Sequence, residues 1–251
     1  MSAPLLETRR LCRTFGALAA AREIDFRLDP GARHALIGPN GAGKTTFVNL
    51  LTGLIQPTSG AVLLKGRDIT RVPPAARVKL GIARTFQINR LFRGLSVLEN
   101  VYLAVAERVG AAPSMLRPAG LRRDVVEESM QVLETLKLTE NARRRISELP
   151  YGRQRLVELA IALALKPEVL LLDEPAAGVP SAESHIILDA LDGLPEHIGV
   201  LIIDHDMDLV FRFASQITVL VNGAVFATGH PQEIGADPEV RAVYLGQAAR
   251  G

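Results

Sequence analysis

One glycine-rich segment constrains the fold of this chain more than any other. Gly38-Pro39-Asn40-Gly41-Ala42-Gly43-Lys44-Thr45-Thr46 matches the pattern G-x-x-x-x-G-K-[ST] in full and directly follows the apolar stretch Ala35-Leu36-Ile37. Glycines let the backbone curl so that successive N–H groups form an anion nest, and a helix beginning at Gly43 would add its N-terminal dipole. Lys44 would supply positive charge to the β- and γ-phosphates, and Thr45 a hydroxyl to Mg²⁺. A strand before the segment and a helix after it favour a nucleotide site over an ordinary glycine turn.

Two further apolar runs end in ionisable side chains. Val169 to Leu172 is followed by Asp173-Glu174, and Val200 to Ile203 is followed by Asp204-His205-Asp206. Uninterrupted apolar runs are typical of parallel strands covered on both faces, whose carboxyl ends form the ligand-binding edge of α/β sheets. We therefore expect Asp173 to hold Mg²⁺, Glu174 to act as general base on a water, and His205 to reach the γ-phosphate. A lone histidine is usually structural, but its place at a strand end favours a functional role.

Alternating strand-like and helical segments predict an α/β fold: a P-loop NTPase core with a mostly parallel sheet, an N-terminal antiparallel β subdomain and an inserted helical subdomain. Helical periodicity places the helical subdomain at about 95–165, with breaks at Pro113, Pro118 and Gly120. The core would comprise about 1–94 and 166–251 of a single nucleotide-binding domain, 1–251.

Short strands and hairpins are predicted outside the motifs. The strands are Ala61 to Lys65 and Ile82 to Phe86. One hairpin would join Ile24–Leu28 to Ala35–Gly38 through Asp29-Pro30-Gly31. A second would join Ile217–Val221 to Ala224–Thr228 through Asn222-Gly223, the strongest short-range hairpin signal.

Composition excludes several classes of protein. The chain has 251 residues, 48% apolar and 22% charged, the profile of a folded globular protein. A formal charge of +2 gives no indication of nucleic-acid binding, and the single cysteine excludes an internal disulfide and fits a reducing compartment. The first ten residues lack the apolar core of a signal peptide, and no apolar run approaches the roughly 18 residues of a membrane span. Any role at a membrane would therefore depend on partners.

With these motifs, the chain resembles the ATP-binding-cassette ATPases. The resemblance extends over nearly the whole chain, because the family's other motifs also occur here in the family's order. The resemblance implies that Phe15, in Arg13-Thr14-Phe15-Gly16, stacks on adenine, and that His205 is the family's switch histidine. It also implies that Gln87, at the end of Gly81-Ile82-Ala83-Arg84-Thr85-Phe86-Gln87, contacts Mg²⁺ and begins the part facing a membrane subunit. ATP and Mg²⁺ are the implied ligands.

Several segments narrow the resemblance to the ATPase subunits of branched-chain amino acid importers. They are Gly81 to Gln87, Arg90-Leu91-Phe92, Ser96 to Val101, Asp173 to Gly178, His205-Asp206-Met207 and the tail from Glu233 to Gly246. The resemblance implies a second cassette ATPase (a different subunit, or a copy of this one), two membrane permease subunits and, indirectly, a solute-binding protein. The chain would then lie in the cytoplasm on the inner face of the cell membrane.

Two segments depart from the family pattern. The signature, usually Leu-Ser-Gly-Gly-Gln-Gln, is here Leu149-Pro150-Tyr151-Gly152-Arg153-Gln154. Pro150 has neither a hydroxyl nor a backbone N–H to donate to the phosphate of the opposite cassette, although proline still permits a helix to begin there. The loop that crosses the dimer, Gly178-Val179-Pro180, has proline where the family often has Asp or Asn. Either the ATP site that uses this signature hydrolyses slowly, or neighbouring N–H groups compensate.

Other functions stay open at this point. Branched-chain or related amino acids are the favoured cargo, with urea, amides and aromatic acids as alternatives. A lipopolysaccharide exporter or a soluble, non-transport cassette ATPase is a further alternative. Chromosome and repair cassettes carry long coiled coils, and no sustained heptads occur here. A small-molecule P-loop kinase would leave Tyr151-Gly152, Gln87 and His205 unexplained. A regulator that binds nucleotide without turnover is disfavoured by the intact Glu174 and His205.

Overall fold

The computed structural model describes residues 3–85, 91–111, 122–180 and 184–248. The chain divides into two compact units. Unit 1 comprises Met1–Ile82, Glu168–Glu174 and Glu196–Gly251, and unit 2 comprises Ala83–Pro167 and Pro175–Pro195. The sequence placed the helical subdomain at about 95–165.

Ten strands lie in the described part of the chain: β1 Leu6–Phe15, β2 Leu18–Leu28, β3 Arg33–Ile37, β4 Ser59–Leu64, β5 Arg67–Asp68, β6 Ile82–Arg84, β7 Val169–Asp173, β8 Gly199–Ile203, β9 Gln216–Val221 and β10 Ala224–Gly229. One sheet is antiparallel, in the order β2-β1-β4-β5. The other has the order β10-β9-β3-β8-β7-β6, in which β9, β3, β8 and β7 run parallel and β10 is antiparallel to β9. The mostly parallel sheet and the antiparallel β subdomain are both as predicted.

Nine α-helices lie in the same described residues: α1 Lys44–Thr52, α2 Pro74–Lys79, α3 Val97–Arg108, α4 Arg123–Thr135, α5 Tyr151–Ala164, α6 Ser184–Asp192, α7 Met207–Phe213, α8 Pro231–Ala236 and α9 Pro238–Ala248. Helices α3 to α6 belong to unit 2 and the others to unit 1. Helix α3 has a full capping box, since Ser96 and Glu99 each accept from the other's backbone N–H. None of the described helices has the length and apolarity needed to cross a membrane.

The predicted hairpin between Ile24–Leu28 and Ala35–Gly38 is wrong. Strand β2 pairs antiparallel with β1, whereas β3 lies parallel to β8 and β9 in the other sheet. Burial explains the difference, because β2 largely alternates between buried and exposed side chains over its second half while β3 is buried from His34 to Ile37. A strand buried on both faces suits the centre of a parallel sheet. Asp29-Pro30-Gly31 therefore forms a turn, as predicted, but the turn connects strands of two different sheets.

The second predicted hairpin is confirmed. Asn222 and Gly223 have φ of 49° and 79°, and Ala224 pairs with Val221 across the turn. Positive φ at both central residues is what a two-residue turn requires to match the twist of its strands.

Helix α1 shares one buried apolar cluster with both sheets of unit 1. Phe47 of α1 meets Phe26 of β2 edge-on, with ring centroids 5.4 Å apart. The cluster also includes Leu6 and Leu11 of the antiparallel sheet and Leu36 of β3. Contact with both sheets fixes the position of α1, and so of the loop that precedes it.

Candidate functional site

The glycine-rich loop joins β3 to α1, as the sequence predicts. Gly38, Gly41 and Gly43 have φ of 152°, 79° and 99°, in the region that favours glycine. A Cβ at Gly38 would lie 2.2 Å from the carbonyl oxygen of Leu220, and one at Gly43 would lie 2.4 Å from that of Ala20. Both positions therefore require glycine for space as well as for backbone conformation.

Lys44 bends back across this loop. Its Nζ donates to the carbonyl oxygens of Gly38 and Pro39 at 2.5 and 3.0 Å. Burial lowers the pKa of Lys44, while the charges of Glu174 and Asp173 act in the opposite direction. The register pairs Leu36 of β3 with Ile203 of β8, and Ile203 with Asp173 of β7. The glycine-rich loop and the strand-end acids therefore leave the same edge of the parallel sheet.

The β9–β10 turn supports the loop from another side. Gly223 N–H donates to the carbonyl oxygen of Ala42 at 2.9 Å, and its own carbonyl accepts from Arg22 N–H at 2.7 Å. The loop is therefore held by a turn about 180 residues away in the chain, which no local sequence pattern predicts.

Glu174 and His205 lie together. His205 Nδ1 is 3.5 Å from Glu174 Oε1. Glu174 has a left-handed backbone, φ 47°, and its N–H donates to Ile203 at the end of β8 at 2.8 Å. Left-handed backbone is costly for a residue other than glycine and concentrates at functional sites. Asp173, the last residue of β7, is buried.

Asp204 has a supporting role that the sequence analysis did not assign. Its Oδ1 accepts from the N–H groups of His205 and Asp206 at 2.8 and 3.0 Å. Burial raises the pKa of Asp204, and these two N–H donors act against that rise. Asp206 in turn caps α7 by accepting from Asp208 and Leu209. The sequence contained a sign of this role: Asp204 and Asp206 flank His205 just before a helix, where aspartates commonly accept from backbone N–H groups.

Other predicted nucleotide ligands occupy the start of α1 and the end of β1. Thr45 and Thr46 lie in the first turn of α1, with Thr45 exposed. Phe15 ends β1 and keeps 45% of its surface exposed, as a ring that stacks on a base would need. Gln87 lies outside the described residues.

The signature segment opens a helix in unit 2, as expected despite the proline. Pro150 occupies the N-cap of α5 with φ −55° and ψ 153°, and its carbonyl accepts from Gln154 N–H at 3.1 Å. The Gln154 side chain donates to the carbonyl oxygen of Leu149 at 2.9 Å. Gly152 is buried, while Arg153 is half-buried and donates to the carbonyl of Lys137 at 3.3 Å.

Within unit 2 the predicted dimer loop packs on the signature helix. A Cβ at Gly178, where φ is 75°, would lie 3.1 Å from Cε1 of Tyr151. Arg155, which the sequence analysis did not single out, lies over the Tyr151 ring, bonds Glu158 at 2.8 Å and donates to the carbonyl of Ala177 at 3.4 Å. Val179 and Pro180 continue the loop, with Val179 N–H donating to Ala176.

Comparisons with known proteins show what this chain is similar to. A family model described as ABC transporter matches residues 21–177, and one described as branched-chain amino acid ATP-binding cassette transporter matches residues 224–250. The chain is 38% identical over 255 aligned positions to the high-affinity branched-chain amino acid transport ATP-binding protein LivG of Escherichia coli (strain K12), covering 99% of this chain and 100% of LivG. BraF of Pseudomonas aeruginosa, also a high-affinity branched-chain amino acid transport ATP-binding protein, matches with the same identity and coverage.

Solved structures show the same relationship. An ATP-binding cassette of an ABC transporter in its ADP conformation superposes with a TM-score of 0.84 at 30% identity, covering 97% of this chain and 99% of the other. A nucleotide-free cassette gives a TM-score of 0.83, also at 30% identity, covering 96% and 98%.

Proposed function

The chain belongs to the ATP-binding-cassette transporter family, and on that premise we propose that it is the ATP-hydrolysing subunit of an importer for branched-chain or related amino acids. Relatives matched over almost the full length, LivG and BraF, carry that cargo in their names. The single observation that supports hydrolysis best is that Glu174 and His205 lie 3.5 Å apart at the carboxyl edge of the parallel sheet, the edge from which β3 leads into the phosphate loop.

The described side chains divide the chemistry among them. Gly38 to Thr46 bind the phosphates through backbone N–H groups and the N-terminus of α1. Glu174 accepts a proton from the attacking water, and His205, beside it, contacts the γ-phosphate. Lys44 releases the carbonyls of Gly38 and Pro39 to neutralise charge on the β- and γ-phosphates as they bind. The phosphoryl group passes directly to water, so no covalent intermediate is required.

Mg²⁺ fits the residues that are present. Magnesium prefers oxygen ligands, and its nucleotide sites take one or two protein oxygens together with phosphates and water. Thr45 offers a hydroxyl and Asp173 a buried carboxylate. The described residues contain no cluster of three or more His, Cys, Asp or Glu that could hold a metal ion, so the phosphates would supply the remaining ligands. Bound there with Gln87 as a further ligand, the ion would neutralise phosphate charge.

The proposed partners are those that a cassette ATPase of a transporter requires. A single cassette lacks the donors that the signature helix of a second cassette supplies, so two ATP molecules are bound between two cassettes. We propose a different cassette subunit as this partner, with a copy of this chain as the alternative. Two membrane permease subunits would hold the pair on the inner face of the membrane, and a solute-binding protein would deliver the cargo.

The test is ATP hydrolysis and leucine uptake by the transporter assembled from this chain and its membrane partners. Glu174→Gln should lower the turnover number by about 100-fold or more with nucleotide affinity retained, because general-base catalysis contributes that much. Lys44→Met should weaken nucleotide binding itself. Glu127→Gln, an exposed glutamate on α4, is the matched control.

The outcomes separate the parts of the proposal. Wild-type turnover in Glu174→Gln would contradict the general-base role. Normal ATP hydrolysis stimulated by urea or an aromatic acid, with no leucine uptake, would contradict the cargo alone.

A further inference from the structure

We propose that Arg13 is a positioning residue that holds Phe15 ready to stack on the nucleotide base, so that guanidinium, phenyl ring and base form one stack. This inference rests on the proposed nucleotide site and adds a residue to it. The observation is that Arg13 Cζ lies over the Phe15 ring, 4.5 Å from its centroid.

The guanidinium is anchored independently of the ring. Arg13 Nη1 donates to the carbonyl oxygen of Gln56 at 2.9 Å. The next residue is tied to the same segment, because Thr14 N–H donates to Thr58 Oγ1 at 3.1 Å. Arg13 therefore has a fixed position from which to hold the exposed side chain at the end of β1.

The ring also has a defined place relative to the phosphate loop. Phe15 pairs with Leu18 across the β1–β2 turn. Two residues further along β2, the carbonyl of Ala20 lies where a Cβ on Gly43 would be 2.4 Å away. At about 3.3 Å per strand residue, the residue that pairs with Phe15 lies about 7 Å along β2 from the contact with the phosphate loop. A nucleotide with its phosphates at Lys44 thus has its base within reach of this ring.

A phenyl ring has two faces, and Arg13 covers one of them. The other is available to a base, in agreement with the 45% of Phe15 that is exposed. An exposed aromatic side chain normally loses rotamer freedom when a ligand stacks on it, and fixing it beforehand reduces that cost. Because the contact with Arg13 is already present before the nucleotide binds, it contributes to affinity only through the rotamer freedom that Phe15 no longer loses, about two- to fivefold.

The experiment measures binding of ADP and of inorganic pyrophosphate to the purified full chain by calorimetry, with Mg²⁺ present. Arg13→Met should weaken ADP binding about two- to fivefold and leave pyrophosphate binding unchanged, because pyrophosphate has no base to stack. Arg13→Lys should restore part of the loss. Arg9→Met, which removes the same charge from the same strand at an exposed arginine paired with Glu7, should bind both as wild type does.

A double-mutant cycle isolates the ring. On a Phe15→Ala background, Arg13→Met should have no further effect on ADP binding. Several results would overturn the inference: an equal loss for both ligands would mean that Arg13 acts only as a distant charge, and unchanged or tighter ADP binding would mean that it blocks the face that the base needs. A wild-type chain that binds neither ligand would instead contradict the nucleotide site itself.

Discussion

His34 shows how a single buried side chain links stability to pH. It lies at the start of β3, 2% exposed, with Nε2 2.8 Å from Thr218 Oγ1 and its ring 4.8 Å from that of Phe26. Burial lowers the pKa of His34 to about 4, although the charge of Asp29 acts in the opposite direction. The folded protein therefore holds His34 neutral where the unfolded chain, with a pKa near 6.5, takes up a proton.

This gives a prediction with a definite sign. The contribution of His34 is present above about pH 6.5 and is lost as pH falls towards 4, because the unfolded state then binds the additional proton. The loss should reach about 3 kcal/mol, from about 1.4 kcal/mol for each pKa unit. Denaturant unfolding from pH 7.5 to 4 measures it, with His34→Gln as the comparison. If the two proteins lose stability in parallel over that range, the neutral buried histidine is not the cause.

At the scale of elements, α1 depends on a buried arginine from α2. Arg77 is 1% exposed and donates to the carbonyl oxygens of Leu50 and Leu51 at 2.8 and 2.7 Å, at the C-terminal end of α1. It also donates to Thr70 and Val72. A cation at the C-terminus of a helix is favoured by the helix dipole, and Arg77 adds a donor to carbonyls in the last turn of α1.

Replacing Arg77 should therefore destabilise unit 1. Arg77→Met removes a donor from four carbonyl oxygens, two in buried bonds and two in partly buried ones, at a cost of about 3 kcal/mol in the free energy of unfolding. Arg77→Lys should cost less, since an ammonium restores up to three donors. Chemical denaturation of both variants is the measurement, and Arg71→Met, at an exposed position nearby, is the control. A loss no larger than that of the control would contradict the role of Arg77.

At the scale of the whole molecule, the complete and the altered motifs fall in different units. Unit 1 carries the phosphate loop, Glu174 and His205, all intact. Unit 2 carries Pro150 and Pro180, the departures in the segments that a partner cassette would meet. The ATP site built on this chain's phosphate loop should therefore hydrolyse faster than the site that uses its signature.

The expected asymmetry is about 100- to 1000-fold, the usual cost of one lost transition-state donor. Two Glu-to-Gln variants in the assembled transporter measure it: Glu174→Gln in this chain, and the equivalent change in the partner. Glu174→Gln should abolish most hydrolysis and the partner's variant little of it. The reverse pattern would contradict the asymmetry, and equal losses would mean that neighbouring N–H groups replace the missing donor of Pro150.

The sequence alone was enough to predict the motifs of the site, because each motif depends on neighbouring residues in a short segment. Glycines at Gly38 and Gly43, and apolar runs ending in Asp173-Glu174 and His205, require only a strand, a turn and a helix to place them at one sheet edge. The Asn222-Gly223 hairpin was predictable for the same reason, since its turn type depends on two adjacent residues.

Tertiary structure decided what depends on distant partners. Burial of β3 on both faces decided which sheet it joins. The supports of the site come from distant parts of the chain: Gly223 bonds the phosphate loop, Arg77 bonds the end of α1, and Gln56 anchors Arg13 beside Phe15. A local pattern records which conformation a segment prefers, but it contains no information on which distant carbonyl or ring the segment will meet. Those contacts arise only when the buried faces of several elements pack together.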